Sequence, residues 1–174
     1  MFAGTDYNPD ISNWDVSSGK AFDYMFESNP LFNRPIGNWD VSGMTDMTAM
    51  FAGAVSFNQN LNKWDVSNVV SFYGTFFSAF EFNGKLQNWD VRSGQMFAGM
   101  FAQAQGFNQN LSKWKPTSAQ VMAEMFRGAR SYNHDLSDWP VDPSITDMSL
   151  FCMGAVSWTK AKPAGLECDN SYYQ

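Results

Sequence analysis

Residues 57–81 read FNQNLNKWDVSNVVSFYGTFFSAFE, and most of the chain repeats this stretch with changes. An aromatic residue followed by Asn recurs at one constant interval along the chain. The pairs are Tyr7-Asn8, Phe32-Asn33, Phe57-Asn58, Phe82-Asn83, Phe107-Asn108 and Tyr132-Asn133. Self-similarity at a fixed period of about 20 to 50 residues is typical of repeat architectures. The sequence therefore predicts six stacked coils that start near residues 7, 32, 57, 82, 107 and 132.

Tryptophan follows each aromatic-Asn pair at the same distance. The positions are Trp14, Trp39, Trp64, Trp89, Trp114 and Trp139. In five coils a Val lies two residues after the Trp, and side chains two apart share one side of a strand. We therefore expect the six Trp to form a structural core and not a sugar-stacking stripe.

The pattern inside one coil changes period halfway along. Leu61, Trp64 and Val66 have the spacing of a leucine-rich repeat, which predicts a strand. Val69, Phe72, Phe76 and Ala79 then follow three to four residues apart, which predicts a helix. The expected fold is an α/β repeat, a right-handed leucine-rich-repeat-like solenoid with parallel strands on one face and short helices on the other.

The repeats account for residues 1–157. Met1-Phe2-Ala3-Gly4 matches residues 50–53, so we expect the chain to begin partway through a coil, as an excised or processed piece. After Trp158 the pattern ends, which predicts a C-terminal cap over residues 158–174.

Composition narrows the classes of partner. The 174 residues carry a net charge of −6 and no Lys/Arg cluster, which disfavours nucleic acid and anionic membrane surfaces. The longest mostly apolar run, residues 69–80, is too short for a transmembrane helix, so no membrane insertion is expected.

Three segments resemble the BspA-like surface-protein repeats, a domain of unknown function in bacterial, mycoplasmal and protist surface proteins. They are residues 57–61, the run Trp64-Asp65-Val66-Ser67, and the Met-x-x-Met-Phe-x-x-Ala form of residues 47–54. The resemblance covers about residues 1–157. It implies a leucine-rich-repeat-like solenoid, exposure at a cell surface and, in some relatives, adhesion. It carries no catalytic residue, and Lys115-Pro116 and Pro140 depart from its pattern.

Residues at one repeat position form columns. The Asn column contains Asn8, Asn33, Asn58, Asn83, Asn108 and Asn133. Because buried Asn side chains can hydrogen-bond the backbone and one another, we interpret this column as structural.

The Asp column contains Asp15, Asp40, Asp65 and Asp90, each directly after a Trp. With Lys63 and Arg92 beside it, this column supplies the candidates for binding on the strand face. Like charges about 4.8 Å apart repel by about 0.9 kcal/mol even in water, so the column needs an explanation. Hydrogen bonds to nearby Ser residues and turn amides are one explanation, and a bound calcium ion or cationic partner is the other.

An enzyme is the third interpretation of the same column. Carboxylates one or two coils apart approach the separations used in glycoside hydrolysis. Yet the column is as regular as the scaffold, whereas a catalytic site usually breaks the pattern. The sequence therefore predicts no enzyme.

Tyr73, Phe77 and Phe80 form the aromatic patch, where neighbouring coils have mostly small residues. These rings either fill grooves over Ala52 and Ala102 or form an exposed surface for a partner or a lateral contact.

Cys152 and Cys168 lie near the C-terminus with no zinc-binding pattern around them. Two interpretations stay open. They form a disulfide that closes the last coil, or they are free thiols with Cys152 at the position of Ala52.

The sequence as a whole favours a non-catalytic recognition or adhesion module, extracellular or at a cell surface. It would bind a protein or glycan through the strand face and need no cofactor, calcium at the Asp column being the one candidate. The alternative is a structural repeat protein that self-assembles into a surface layer, filament or matrix.

Overall fold

The structure is a computed structural model and describes residues 1–144 and 146–171. Within these residues the one helical element is the 3-10 helix Pro163–Gly165. Extended pairing is limited there to isolated parallel bridges between successive coils: Ala21 to Asp46, Asp46 to Ser71, Ser71 to Met96, Met96 to Val121 and Val121 to Asp147. The predicted right-handed leucine-rich-repeat-like α/β solenoid, with parallel strands and short helices, is therefore wrong.

The segment predicted as a strand consists of tight turns. Trp64 N–H donates to the Leu61 carbonyl at 3.0 Å, and Val69 N–H donates to the Val66 carbonyl at 2.9 Å. These N–H groups bond within their own coil, so they are not available to a neighbouring strand. Leu61, Trp64 and Val66 are nevertheless buried, which explains why their spacing resembled a strand face.

The segment predicted as a helix is buried on the expected side but has a different backbone. Phe76 N–H donates to the carbonyl of Met100 in the next coil at 2.9 Å, not to a carbonyl four residues earlier. Gly74 and Ser78 have φ values of +57° and +54°. Left-handed residues four positions apart cannot belong to a right-handed α-helix.

We call residues 22–28, 47–53, 72–78, 97–103 and 122–128 the turn ribbons. In the second ribbon alternate N–H groups donate to the next coil at 2.7–2.9 Å: Met47 to Ser71, Ala49 to Tyr73, Phe51 to Thr75 and Gly53 to Phe77. The intervening Met50, Ala52 and Ala54 N–H groups donate to carbonyls three residues earlier. Thr48 N–H donates to the Asp46 carboxylate at 2.8 Å. Every N–H from residue 47 to residue 54 is thus paired, which a buried backbone requires.

The same bonds join all five ribbons to the coil that follows. The offset between donor and acceptor is constant for the first four ribbons, as between Phe72 and Met96. At the last ribbon the offset is longer by one position, between Met122 and Asp147, because the sixth coil contains one additional residue. This ladder fixes the register of the stack.

Aromatic rings at equivalent positions stack along the interior. Phe51 and Phe76 lie 5.5 Å apart between centroids, and Trp64 and Trp89 lie 6.4 Å apart, each pair nearly parallel. Five indole N–H groups also donate at 2.8–3.1 Å to a carbonyl of the preceding coil: Trp39 to Ile11, Trp64 to Ile36, Trp89 to Leu61, Trp114 to Leu86 and Trp139 to Leu111. These five Trp are buried, whereas Trp14 in the first coil is 41% exposed.

Tyr132 is a polar exception in this core. It stacks on Phe107 at 5.8 Å in a column otherwise made of Phe from residue 32 onward. Its hydroxyl is buried and makes no hydrogen bond of normal geometry within the described part of the chain. Burial raises the pKa of Tyr132, and the nearby Leu111 backbone offsets this only in part.

Residues 158–171 lie against the sixth coil. Cys152 and Cys168 form a disulfide, and Leu136 N–H donates to the Ala161 carbonyl at 3.0 Å. Trp158 meets Tyr132 edge to face, so the parallel stacking ends here. Residues 172–174 of the predicted cap lie outside the described residues.

We predict that Trp89→Phe lowers the free energy of unfolding by about 2 kcal/mol, because it removes buried apolar surface and the indole hydrogen bond to the Leu61 carbonyl, which keeps only the Trp64 N–H as donor. Trp14→Phe is the matched control, since Trp14 is partly exposed and makes no equivalent indole hydrogen bond within the described residues. We expect it to change stability by less than about 0.5 kcal/mol. Urea unfolding followed by circular dichroism measures both, and equal losses would contradict the proposed bonding between coils.

We also predict that Tyr132→Phe raises the free energy of unfolding by about 1 kcal/mol at pH 7, because it removes a buried hydroxyl that the nearby Leu111 backbone satisfies only in part. The advantage should grow above about pH 10, where an unfolded Tyr ionises while the folded side chain keeps its proton. Wild-type stability therefore falls with rising pH in this range. Urea unfolding at pH 7 and pH 10.5, with exposed Tyr7→Phe as control, tests this prediction, and a destabilised Tyr132→Phe protein would contradict it.

Candidate functional site

The Asn column forms a hydrogen-bonded ladder at the surface and not in the interior. Asn33 Oδ1 accepts the Asn58 N–H at 3.0 Å, and Asn58 Oδ1 accepts the Asn83 N–H at 2.9 Å. The ladder continues through Asn108 and Asn133 to the Thr159 N–H. These side chains bind neighbouring backbone groups.

A second layer of bonds beside this ladder was not predicted. The residue after each Asn reaches back to the preceding coil, as when Gln59 Nε2 donates to Asn33 Oδ1 at 2.7 Å. Arg34, Gln109 and His134 make equivalent contacts to Asn8, Asn83 and Asn108. Gly84 is the exception, since a Cβ there would lie 2.0 Å from the Gln59 carbonyl oxygen. The single His is thus part of the scaffold.

The carboxylates of the Asp column accept hydrogen bonds from residues of their own turns. Asp15 and Asp40 each accept a Ser hydroxyl at 2.7 Å and the N–H of the same Ser at 3.1 Å, from Ser17 and Ser42 respectively. These bonds lower the pKa of Asp15 and of Asp40, with the hydroxyl as the larger cause. Asp65 accepts the Ser67 N–H at 3.0 Å.

Asp90 differs because Arg92 replaces Ser in its turn. The Arg92 guanidinium donates to both carboxylate oxygens, which lowers the pKa of Asp90 and raises the pKa of Arg92. Lys63, predicted beside this column, instead donates to Asn38 Oδ1 at 3.2 Å. Asp90 and Arg92 line a depression of about 550 Å³ with Lys113 and Lys115. The face is therefore acidic in the first three coils and more basic in the next two.

The Asp column needs no cation to explain it. Among residues 1–144 and 146–171, no group of three or more His, Cys, Asp or Glu side chains could hold a metal ion. Local hydrogen bonds to turn amides and hydroxyls stabilise charges on adjacent coils. Since there is no strand among these described residues, the Asp side chains lie on turns and not on a strand face.

The aromatic patch is exposed. Tyr73, Phe77 and Phe80 are 51%, 44% and 41% exposed, in contrast to the stacked Phe residues of the core. Phe77 and Tyr73 project from the third turn ribbon, and the second ribbon has Thr48 and Ala52 at the matching positions. A Cβ added at Gly99 would lie 4.0 Å from Phe77 Cδ2, so the Phe77 ring lies over the fourth coil.

Two of these rings belong to a groove of about 320 Å³, which we call the aromatic groove. Its large lining residues are Tyr24, Glu27, Tyr73, Phe77 and Glu124. Its remaining lining residues are small: Ala49, Ala52, Gly74, Ala98, Gly99 and Ala123. Phe80 does not line it. The groove thus joins ribbons from the first five coils.

Sequence reasoning missed Tyr24, Glu27 and Glu124. The signal was the change in side-chain size from coil to coil on the ribbons: Tyr24 and Glu27 in the first coil, Ala49 and Ala52 in the second, Tyr73 and Phe77 in the third. Large residues above small ones leave a trough once the coils stack. Comparing positions between coils, and not along one coil, would have found it.

The charges of the groove are acidic at both ends. Glu124 pairs with Arg127 at 3.0 Å. Glu27 makes no ion pair within the part of the chain that the structure describes. The groove therefore combines exposed aromatic rings with a carboxylate that is available to a ligand.

Fold and surface together define a repeat protein with a lateral aromatic groove. The model of the family described as "Mycoplasma protein of unknown function, DUF285" matches residues 1–80 and 60–163. The chain belongs to this family, which confirms the predicted membership of a repeat family of unknown function. No curated protein and no solved structure gives a significant match. Among the described residues, no helix is long and apolar enough to cross a bilayer.

Proposed function

We propose that the protein is a non-catalytic recognition or adhesion module of the BspA-like type, extracellular or at a cell surface, that binds a protein or glycan. The aromatic groove carries this proposal. Tyr73 and Phe77 are about half exposed above a floor of Ala and Gly, although most other rings of the repeats are buried in the core. Exposed aromatic patches of this kind are typical of binding surfaces.

The aromatic groove is a better candidate binding site than the Asp column. Asp15, Asp40 and Asp65 accept hydrogen bonds from their own turns, so a ligand would compete with existing partners. The rings of Tyr73 and Phe77 have only small neighbours in the adjoining coils and lose water when covered. We therefore place the ligand on the turn ribbons.

The disulfide supports an extracellular location. Cys152 and Cys168 join the sixth coil to the cap, with their Cα atoms 5.1 Å apart. Structural disulfides persist mainly in oxidising compartments, and the cytosol keeps most thiols reduced.

The Asp column also favours a non-catalytic role. A general acid in glycoside hydrolysis needs a raised pKa, whereas the pKa values of Asp15, Asp40 and Asp90 are lowered. All three carboxyls therefore stay ionised at neutral pH and hold their own turns.

Self-assembly into a surface layer, filament or matrix is the second candidate. One observation favours it: Phe80 is 41% exposed outside the aromatic groove. Because residues 158–171 lie against the sixth coil, contacts between copies would be lateral. Light scattering separates the two candidates, since the recognition module should remain a monomer.

We predict that Tyr73→Ser with Phe77→Ser weakens ligand binding at least about tenfold, because both rings lie in the groove. Binding to an array of extracellular-matrix proteins and glycans measures the effect. Asp40→Lys with Asp65→Lys should change affinity by less than about twofold, and Phe80→Ser is the control for loss of an exposed ring outside the groove.

Two results would contradict the proposal. One is a wild-type chain that binds nothing on the array. The other is normal binding by the groove variant together with loss of binding by the Asp variant, which would return the site to the Asp column. Thermal unfolding of each variant shows that the fold is intact.

A further inference from the structure

We propose that the aromatic groove binds lysine side chains of an extended polypeptide, with an ammonium group between the rings and beside Glu27. This inference rests on the proposed function, because it names the ligand class of the same groove. Tyr24, Tyr73 and Phe77 supply the aromatic walls, and the Glu27 carboxylate supplies the negative charge.

The arrangement of the walls suits a cation. Tyr24 and Tyr73 belong to the first and third coils, and Ala49 and Ala52 of the second coil line the groove between them. An ammonium group over these two Ala residues would have an aromatic residue on the coil at either side, and cation–π attraction reaches about 6 Å.

The charges select a cation over an anion or a neutral group. Glu27 lines one end of the groove without an ion pair among the described residues, Glu124 at the other end is paired with Arg127, and the chain as a whole has a net charge of −6. Ring faces and carboxylates both attract a positive charge, and the electrostatic field of the protein adds to this attraction. A neutral sugar would lack the charge attraction, and an anion would be repelled.

The small residues between the walls favour lysine. Ala49 and Ala52 leave a trough in which a four-carbon stem can lie while its ammonium group reaches Glu27. Beyond the Phe77 ring, the groove continues along Ala98 and Ala123 to Glu124 and forms a second trough. The two troughs are on either side of the third coil, two coil steps apart. In an extended polyproline II segment, which has three residues per turn and rises about 3.1 Å per residue, side chains three positions apart lie on the same side about 9 Å apart, so a Lys-x-x-Lys pattern fits both.

The test uses the full chain and three fluorescent nine-residue peptides that consist of Gly and Ser except at two positions in Lys-x-x-Lys spacing. Both positions are lysine in the first peptide, acetyl-lysine in the second and trimethyl-lysine in the third. We expect acetylation to weaken binding at least tenfold because it removes the charge, and trimethylation to change it less than threefold because the charge remains. Fluorescence anisotropy at 0.15 M salt gives the affinities.

Matched variants locate the peptide. Tyr73→Ser with Phe77→Ser, and separately Glu27→Gln, should each weaken binding of the lysine peptide at least fivefold. Phe80→Ser and Glu81→Gln remove an exposed ring and an exposed carboxylate outside the groove, and should change it less than twofold. If the Tyr73→Ser, Phe77→Ser variant does not fold, the Glu27→Gln variant and the three peptides still test whether the groove binds lysine.

Three outcomes would overturn the inference. The first is that the acetyl-lysine peptide binds as well as the lysine peptide. The second is that the trimethyl-lysine peptide binds as poorly as the acetyl-lysine peptide. The third is that the control variants lose as much affinity for the lysine peptide as the groove variants do. A ligand from the array that needs Tyr73 and Phe77, with no binding of the lysine peptide, would leave the recognition function standing and remove lysine as its ligand. Binding of the lysine peptide, with no ligand found on the array, would support lysine as a ligand of the groove and contradict recognition of the arrayed proteins and glycans.

Discussion

The backbone hydrogen bonds between successive turn ribbons are the constraint on which the rest of the structure depends. Alternate N–H groups, such as those of Met47, Ala49 and Phe51, donate to carbonyls of the next coil, and the groups between them close turns inside their own coil. This division pairs the ribbon backbone without strands or helices. It also places equivalent residues directly above one another, so that Phe and Trp rings stack. Five buried indoles each donate to a carbonyl of the coil before, as Trp89 does to Leu61.

The same register creates the surface. Because equivalent positions stack, a change of side-chain size between coils becomes a ridge or a trough on the outer side of the ribbons. Tyr24 and Glu27, then Ala49 and Ala52, then Phe77 with Tyr73 produce the groove. Binding can therefore vary through outward residues while the hydrogen bonds and the ring stacks stay constant, which is typical of repeat proteins.

The period, the buried Trp and Phe residues and the turn bonds of the Asp column could be predicted from sequence. The backbone could not, because the buried residues Phe72, Thr75 and Phe76 have the same spacing in a turn ribbon as on a helix face. Glycine was the overlooked signal: Gly53, Gly74, Gly99 and Gly128 occupy left-handed positions where a helix would disfavour them. The groove was missed because its residues come from five coils, and a pattern within one coil does not show which side chains become neighbours.

The most direct test is an NMR measurement of scalar coupling across the hydrogen bond of the Phe76 amide, in protein labelled with ¹⁵N and ¹³C. We expect coupling from the Phe76 nitrogen to the carbonyl carbon of Met100 in the next coil. Coupling to the carbonyl of Phe72, four residues earlier, would show a helix and contradict the turn ribbon, the stacking register and the groove that depends on both.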